Sequence, residues 1–222
     1  IQISPSETIA SDIDGLVAAL PSSLSQEEMN HLLSYIQEGK PTLLLVDPLP
    51  IVNIGLAPSE RTGGNTNPFT RNQGPPPKEK GDIQELMSEI GVRWDSASIV
   101  WDSYNPHPDL SNLPPEVVFL GSGNGNENTF NHKHRGSAEL QEIVFLYPGQ
   151  ISAAAQEKYK FEPLLRSGFA SGHLNYSQMV QRSFLGVQLN QNLPHHPDVQ
   201  DTILAAHLTG PLKPTTTPSD TD

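Results

Sequence analysis

The chain has 222 residues and carries 25 acidic residues against 13 basic ones, which gives a net charge of −12. This charge disfavours binding to a phosphate backbone, since the few basic residues are not clustered, and nucleic acid is not an expected partner. The absence of cysteine excludes disulfides, thiolate metal sites and cysteine nucleophiles. No run of about 18 apolar residues exists to span a membrane, and the first residues lack the pattern of a signal peptide. We expect a soluble piece of a longer protein whose membrane anchors lie outside this sequence.

The first predicted elements form a βαβ unit. Residues 12–20 contain a short apolar run, and residues 42–46, "TLLLV", form a second one. Between them, Ser25 followed three residues later by Glu28 is a capping box, and apolar residues recur at helical spacing up to Gly39. Two continuous apolar strands that flank a helix predict a parallel, buried sheet.

The rest of the chain alternates irregular segments with shorter elements. Residues 49–81 are rich in Gly, Pro, Asn and Thr and predict a long loop insertion, and residues 82–92 predict a second helix capped by Asp82. Five further apolar segments predict strands: 97–101, 116–120, 142–147, 161–167 and 202–210. The polar stretch between the second and third of these allows either a long hairpin or a passage over a sheet edge. We expect one α/β domain over residues 1–210 and a disordered tail at residues 211–222.

The order of these segments resembles a known family. The block "DIDGLVAALPSSLSQEEMNHLLSYIQEGKPTLLLVDP", residues 12–48, combines an aspartate, an apolar strand, Pro-Ser, a helix ending in tyrosine and glycine, a second apolar strand and Asp-Pro. The segments "LMSEIGVRWDSASIVWD", "FLYPGQI", "FEPLLRSG" and "ILAAHLTG" follow in the family's order. Over most of its length the chain resembles the GldG-type auxiliary component of ABC transport systems, a family first associated with bacterial gliding motility.

The resemblance carries expectations for fold, location and partners. It implies a three-layer α/β sandwich with a mostly parallel sheet, like that of flavodoxins and class I glutamine amidotransferases. It implies a periplasmic or other extracytoplasmic domain of an inner-membrane protein, with the ABC permease and ATPase subunits of the same system as partners and no cofactor. Amidotransferase-like relatives use a cysteine nucleophile, which this chain lacks, so a non-catalytic domain is expected.

Asp47 directly follows the predicted strand at residues 42–46, at the sheet edge where an open α/β sheet binds ligands. One interpretation is a binding edge that Asp47 forms with Ser22 and Ser23 at the end of the neighbouring strand. The other is that Asp47 accepts hydrogen bonds from the loop backbone while Pro48 ends strand pairing. Because no base, nucleophile or second acid lies at a recognisable spacing, the residues favour the structural interpretation.

His132 and His134 are the weak candidates for a metal site. Two residues apart on an extended strand, both imidazoles would lie on one face, as a metal pair requires. Without a clear third ligand, an exposed polar loop is favoured and no metal site is predicted. The adjacent residues His195 and His196 predict a proline-stiffened loop.

Other motifs also favour structural roles. "PSSLS" lacks the glycines of a nucleophile elbow, so Ser25 is interpreted as a helix cap. "GSGNGN" fails the dinucleotide fingerprint at Asn126 and predicts a flexible turn. Asp12 and Asp14 lack the spacing of a calcium loop. Three aromatic residues allow either a sugar- or peptide-binding platform or, as is favoured, core packing: Trp94, Trp101 and Tyr104.

Three functions from different classes follow from these residues. The first, which we favour, is a non-catalytic interaction domain of an ABC-transporter auxiliary subunit. The second is a small-ligand or glycan-binding domain that uses the strand ends near Asp47 and the loop at residues 49–81. The third is a hydrolase with a metal held by His132, His134 and a carboxylate. The lack of catalytic spacing separates the first from the third.

Overall fold

The computed structural model describes residues 2–60, 79–155, 159–183, 186–190, 192–198 and 201–210. The described helices are α1 (Gln26–Gln37), α2 (Ile83–Glu89) and α3 (Tyr176–Met179). The described strands are β1 (Leu16–Ala19), β2 (Thr42–Leu45), β3 (Val92–Trp94), β4 (Ser98–Asp102), β5 (Val117–Gly121), β6 (Glu142–Leu146), β7 (Ile151–Ala153), β8 (Lys160–Arg166), β9 (Ser171–Asn175), β10 (Val180–Ser183), β11 (Gly186–Leu189) and β12 (Ile203–Thr209). Residues 61–78 of the predicted insertion and the predicted tail at 211–222 lie outside the described residues.

The predicted βαβ unit is confirmed in its order and its parallel pairing, whereas the predicted burial of its strands holds on one face only. β1 and β2 pair in parallel along their whole length, with α1 between them in sequence. The Ser25 backbone N–H donates to Glu28 Oε2 at 2.8 Å, as the predicted capping box requires. The helix ends before Gly39, whose φ of 80° lies in the left-handed region that glycine adopts without strain.

The predicted three-layer sandwich with a mostly parallel sheet is wrong. In the described part of the chain the strands pair two by two, and five of the six pairs are antiparallel: β3–β7, β4–β9, β5–β6, β8–β12 and β10–β11. A parallel neighbour needs a crossover connection, usually a helix, but only a 3-10 turn at Pro108–Leu110 lies between β4 and β5. Continuous apolar runs indicate that a strand is buried, and they do not indicate its direction.

Two features explain how these strands are paired. β5 and β6 form the long hairpin that was one of the two predicted connections, with Val117 opposite Leu146 and Gly121 opposite Glu142. β4 instead pairs with β9, a strand that the sequence analysis did not predict. The β9 sequence "SGHLN" holds one large apolar residue, so it lacks the pattern that identifies a strand.

Three clusters of buried side chains form the core of the described residues. The first lies between α1, α2 and β3: Met29, Leu32, Ile83, Leu86, Met87, Ile90, Val92 and Trp94. The second surrounds one face of β4: Leu49, Ala57, Ile99, Trp101, Leu174, Tyr176, Met179 and Val180. The third covers the opposite face of β4: Val100, Val118, Leu120, Phe130, Leu165 and Leu204. β4 is therefore buried on both sides, whereas β1 and β2 contribute to the core through one side.

Candidate functional site

β1 and β2 bury one face and expose the other. The inward residues of both strands pack against the first cluster: Leu16, Ala18 and Leu44. On the opposite face, Val17, Leu43 and Leu45 are 64%, 54% and 49% exposed. Val17 lies directly opposite Leu43, and Leu45 is two residues further along β2, so the three side chains form one strip, which we call the outer face. Because parallel strands are normally buried on both faces, this apolar face, which no described residue covers, is a candidate contact surface.

The amino-terminal end of the outer face is acidic. Asp12 and Asp14 are exposed just before β1, and Glu38 is exposed before β2. Burial raises the pKa of the nearby Tyr35 hydroxyl, and the negative charges of Asp14 and Glu38 raise it further. Lys40 is the one cation between residues 12 and 40, and its ammonium donates to a backbone carbonyl at 2.7 Å. The net charge at this end is negative.

A cavity of about 310 Å³ lies beyond the carboxyl end of β1. Its walls include residues from both ends of the predicted insertion at 49–81 and two residues outside it: Ser22, Pro58, Glu60, Glu79, Lys80 and Ile83. Ser22 is 2% exposed, and its hydroxyl has no hydrogen-bond partner within the described residues. A buried hydroxyl that lacks a partner is costly, so this wall has an unused capacity for hydrogen bonding.

Lys80 and Glu60 fix the loop that borders this cavity. Lys80 Nζ donates to three backbone carbonyls within residues 55–60, at 2.9, 2.6 and 2.9 Å. Burial lowers the Lys80 pKa, and the negative charge of Glu60 opposes that shift. Glu60 Oε1 accepts a hydrogen bond from the Tyr176 hydroxyl at 2.6 Å and also pairs with the Arg182 guanidinium. Burial raises the pKa of the Tyr176 hydroxyl, and the hydrogen bond to Glu60 raises it further. No sequence motif marks this network, because it joins residues that are far apart in the chain.

Of the three predicted binding residues, only Ser22 lines the cavity. Ser23 Oγ donates to the Leu20 carbonyl at 2.8 Å and so stabilises the turn that follows β1. Asp47 Oδ1 accepts a hydrogen bond from the Leu49 backbone N–H at 2.8 Å, which is the bond that the structural interpretation predicts. Burial raises the Asp47 pKa, and the bond from Leu49 opposes that shift. These three side chains make separate contacts within the described residues, and a binding edge that they share stays a prediction.

A second strand-ending carboxylate, Asp102, was missed by the sequence analysis. It is the last residue of β4 and is 2% exposed. Its two oxygens accept hydrogen bonds from the backbone N–H groups of Tyr104 at 2.9 Å and Gly168 at 2.6 Å. Burial raises the Asp102 pKa, while these two bonds lower it. The signal that identifies Asp47, an aspartate directly after an apolar run, is also present at Asp102.

The two candidate metal ligands make separate contacts. His132 Nδ1 lies 3.3 Å from the Ala138 carbonyl oxygen. His134 Nδ1 accepts a hydrogen bond from the Gly136 N–H, and its Nε2 lies 3.0 Å from His207 Nδ1. Because His134 Nδ1 is an acceptor, its Nε2 carries the proton that is donated to His207. No group of three or more metal-ligating side chains is found among the residues that the structure describes.

The predicted loop at His195 and His196 is held to the body of the domain by histidine–carboxylate contacts. His195 Nε2 lies 2.9 Å from Glu116 Oε1, and its ring stands edge-on to Trp101 at 4.9 Å. Three residues later, Asp198 Oδ2 lies 2.6 Å from His173 Nδ1. His173 Nε2 has no hydrogen-bond partner in the described part of the chain. The Asp–His pair therefore lacks the bonded hydroxyl that would make it part of a hydrolytic triad.

The remaining motifs have structural surroundings. Trp94 and Trp101 are buried in the first and second clusters respectively, where they fill the core. In the "GSGNGN" turn, Asn124 and Asn126 are buried, and Asn126 Nδ2 donates to the Ser167 carbonyl at 2.8 Å. This turn is fixed to the start of the β8–β9 connection. The helices of the described residues are too short and too polar to cross a membrane.

In its described residues the chain combines a parallel βαβ unit with antiparallel strand pairs, an apolar sheet face exposed on β1 and β2, and a small cavity. A family model described as an ABC-type uncharacterized transport system matches residues 1–219. The chain therefore belongs to this family, whose members are auxiliary components of ABC-type transport systems. A search of curated proteins found no significant match.

Proposed function

We propose that the domain is a non-catalytic interaction module of an ABC-transporter auxiliary subunit, and that it acts outside the cytoplasm. The observation that carries this proposal is the outer face formed by Val17, Leu43 and Leu45. These side chains lie on a parallel strand pair, the kind of sheet that proteins cover on both faces. A domain that leaves this face uncovered is suited to contact another protein, as an auxiliary subunit must.

The histidine–carboxylate pairs support a non-catalytic role. His195 lies in contact with Glu116 and stands edge-on to Trp101, so it holds a loop in place. His173 has its Asp198 partner but no hydroxyl at Nε2 within the described residues. An arrangement for nucleophilic catalysis would need nucleophile, base and orienting group in hydrogen-bond contact.

The partners that we propose are the permease and ATPase subunits of the same transport system. Membership of the transport family supports this choice, and the resemblance to the gliding-motility type supports a periplasmic position. The negative charge of −12 opposes direct contact with anionic lipid surfaces, which favours a protein partner over a membrane.

Affinity purification of the full-length parent protein from gently solubilised membranes tests this proposal. We expect the permease and ATPase to co-purify and to be identified by mass spectrometry. A parallel preparation from a strain that lacks the permease controls for nonspecific capture. Failure of both subunits to co-purify under several mild detergents would contradict the proposed function.

The cavity supports a second candidate function, the binding of a small polar ligand or a glycan unit. Its volume of about 310 Å³ lies at the lower end of ligand pockets, roughly 300–1,000 Å³. The unpartnered Ser22 hydroxyl provides a specific group for a ligand to bind. In a thermal-shift panel of monosaccharides and amino acids, at least one compound should raise the unfolding temperature of the parent protein. Ser22→Ala should abolish this shift, whereas Asp47→Ala, the control outside the cavity, should retain it. A panel without any hit would leave the interaction module as the function.

A further inference from the structure

Among the residues that the structure describes, no layer covers the outer face. On the inner side, α1 and α2 pack over β1 and β2 through the first cluster. On the outer side, Val17, Leu43 and Leu45 keep about half or more of their surface exposed. Parallel sheets are otherwise covered by helices on both faces, because each strand is apolar on both sides. The missing layer is therefore of a known kind, an α-helix.

The spacing of the outer face suits a helix. Leu43 and Leu45 are two residues apart on one strand, which separates them by roughly 6.6 Å. Val17 lies beside Leu43 on the neighbouring strand. Apolar side chains one helical turn apart recur about every 5.4 Å, so a helix with residues at i, i+4 and i+7 can lay its stripe along this strip.

The charge around the outer face sets the chemistry of the helix. Asp12, Asp14 and Glu38 are exposed at its amino-terminal end. Lys40 is bonded to a backbone carbonyl at 2.7 Å, and it leaves the three acids in excess. Opposite charges across an interface steer association and fix orientation, so one end of the helix should carry Lys or Arg.

We infer that an amphipathic helix of another transport-system subunit docks on Val17, Leu43 and Leu45 and covers the outer face. Basic residues at one end of this helix face Asp12 and Asp14. This inference rests on the proposed function, and it adds the surface, the kind of element and its orientation.

Site-specific photo-crosslinking in the full-length protein tests the inference. A photo-reactive amino acid is placed at Leu43 or at Phe169, which is 63% exposed in the β8–β9 connection and serves as the matched control. After irradiation of native membranes, crosslinked peptides are identified by mass spectrometry. We expect position 43, and not position 169, to crosslink to an amphipathic helix with Lys or Arg at one end in a subunit of the transport system.

A second measurement uses serine substitutions. Leu43→Ser should weaken recovery of that subunit by about tenfold or more, since a docked leucine loses its buried apolar surface. Phe169→Ser should leave recovery unchanged, and both variants should unfold at temperatures close to that of the parent. Asp14→Lys should lower recovery further as salt is reduced, because it places like charges at the basic end of the helix.

The possible failures are distinguishable. If the transport subunits co-purify but position 43 crosslinks to lipid, to a second copy or to another segment of the same chain, the inference is overturned and the proposed function stands. Equal recovery of Leu43→Ser and the parent protein also overturns it. If no transport subunit co-purifies with the parent, the proposed function fails and the inference fails with it.

Discussion

The βαβ unit, formed by β1, α1 and β2, and the antiparallel strand pairs differ in how they bury their apolar strands. β1 and β2 pair across a single helix and are covered on one face, with the outer face exposed. β4 and β5 are buried on both faces, and β4 takes its partner, β9, from some 70 residues further along the chain. The pairing of β1 with β2 leaves an apolar face exposed, whereas the partner that β4 takes from far along the chain helps to enclose the core. A continuous apolar run in the sequence therefore does not by itself show that both faces of its strand are buried.

The largest expected effect follows the removal of a buried side chain from one of the antiparallel strand pairs. Phe119→Ala removes a side chain that is 2% exposed in the middle of β5, and we expect a loss of about 3–5 kcal/mol of unfolding free energy. Urea denaturation followed by circular dichroism measures this loss. Phe119→Leu, which keeps most of the volume, is the matched control and should lose clearly less. A loss below 1 kcal/mol for the alanine variant would contradict the burial of this side chain in the core.

The next effect compares the two carboxylates that follow apolar strands. Asp102→Ala leaves two backbone N–H groups without an acceptor, whereas Asp47→Ala leaves one. We expect a loss of about 2–4 kcal/mol of unfolding free energy for the first and about 1 kcal/mol for the second, because each buried donor left without an acceptor is destabilising. Equal losses in denaturant titrations would show that the Asp102 bonds to Tyr104 and Gly168 do not stabilise the fold.

The pH dependence of the same carboxylate sharpens this comparison. Burial raises the Asp102 pKa, so the folded state holds the proton more tightly than the unfolded state. The stability that this proton contributes is fully present below the ordinary aspartate range and is lost as pH rises through the raised pKa. Asp102→Asn does not titrate, so the parent should lose stability relative to this variant between about pH 3.5 and pH 7. A constant difference across that range would contradict the raised pKa.

The sequence was informative where the deciding contacts are local. The Ser25 capping box, the Asp82 cap and the helical spacing of α1 and α2 depend on residues a few positions apart, and these predictions are confirmed. The direction of β4 depends on β9, whose polar sequence has no strand pattern, so a parallel sheet was wrongly predicted. The same distinction between local and distant contacts applies to the candidate sites. Asp47 and its Leu49 bond are local, whereas the Glu60, Lys80 and Tyr176 network joins distant segments that spacing alone does not connect.

A smaller effect is expected at the start of α1, within the βαβ unit. Ser25→Ala removes the side chain of the capping box at the start of α1. We expect a loss of about 1 kcal/mol of unfolding free energy, the usual value for such a cap. Ser25→Asp, which restores a capping oxygen, should recover most of the loss in the same denaturation assay. A fully unchanged Ser25→Ala would show that packing on the first cluster, and not the cap, sets where the helix begins.

The smallest effect distinguishes the two faces of β2. Leu44 packs against the first cluster, and Leu43 lies on the outer face at 54% exposure. Leu43→Ala should therefore change the unfolding free energy of the isolated domain by about 0.5 kcal/mol or less, within the range of surface substitutions. Leu44→Ala, one residue away on the same strand, should cost about 2 kcal/mol or more because it leaves a cavity against α1 and α2. If both variants lost the same amount, Leu43 would be part of the domain's own core, and its apolar character would need no partner. If only Leu44→Ala is destabilised, the leucine at position 43 does not serve the stability of this domain, and contact with another protein remains the physical reason for an apolar residue there.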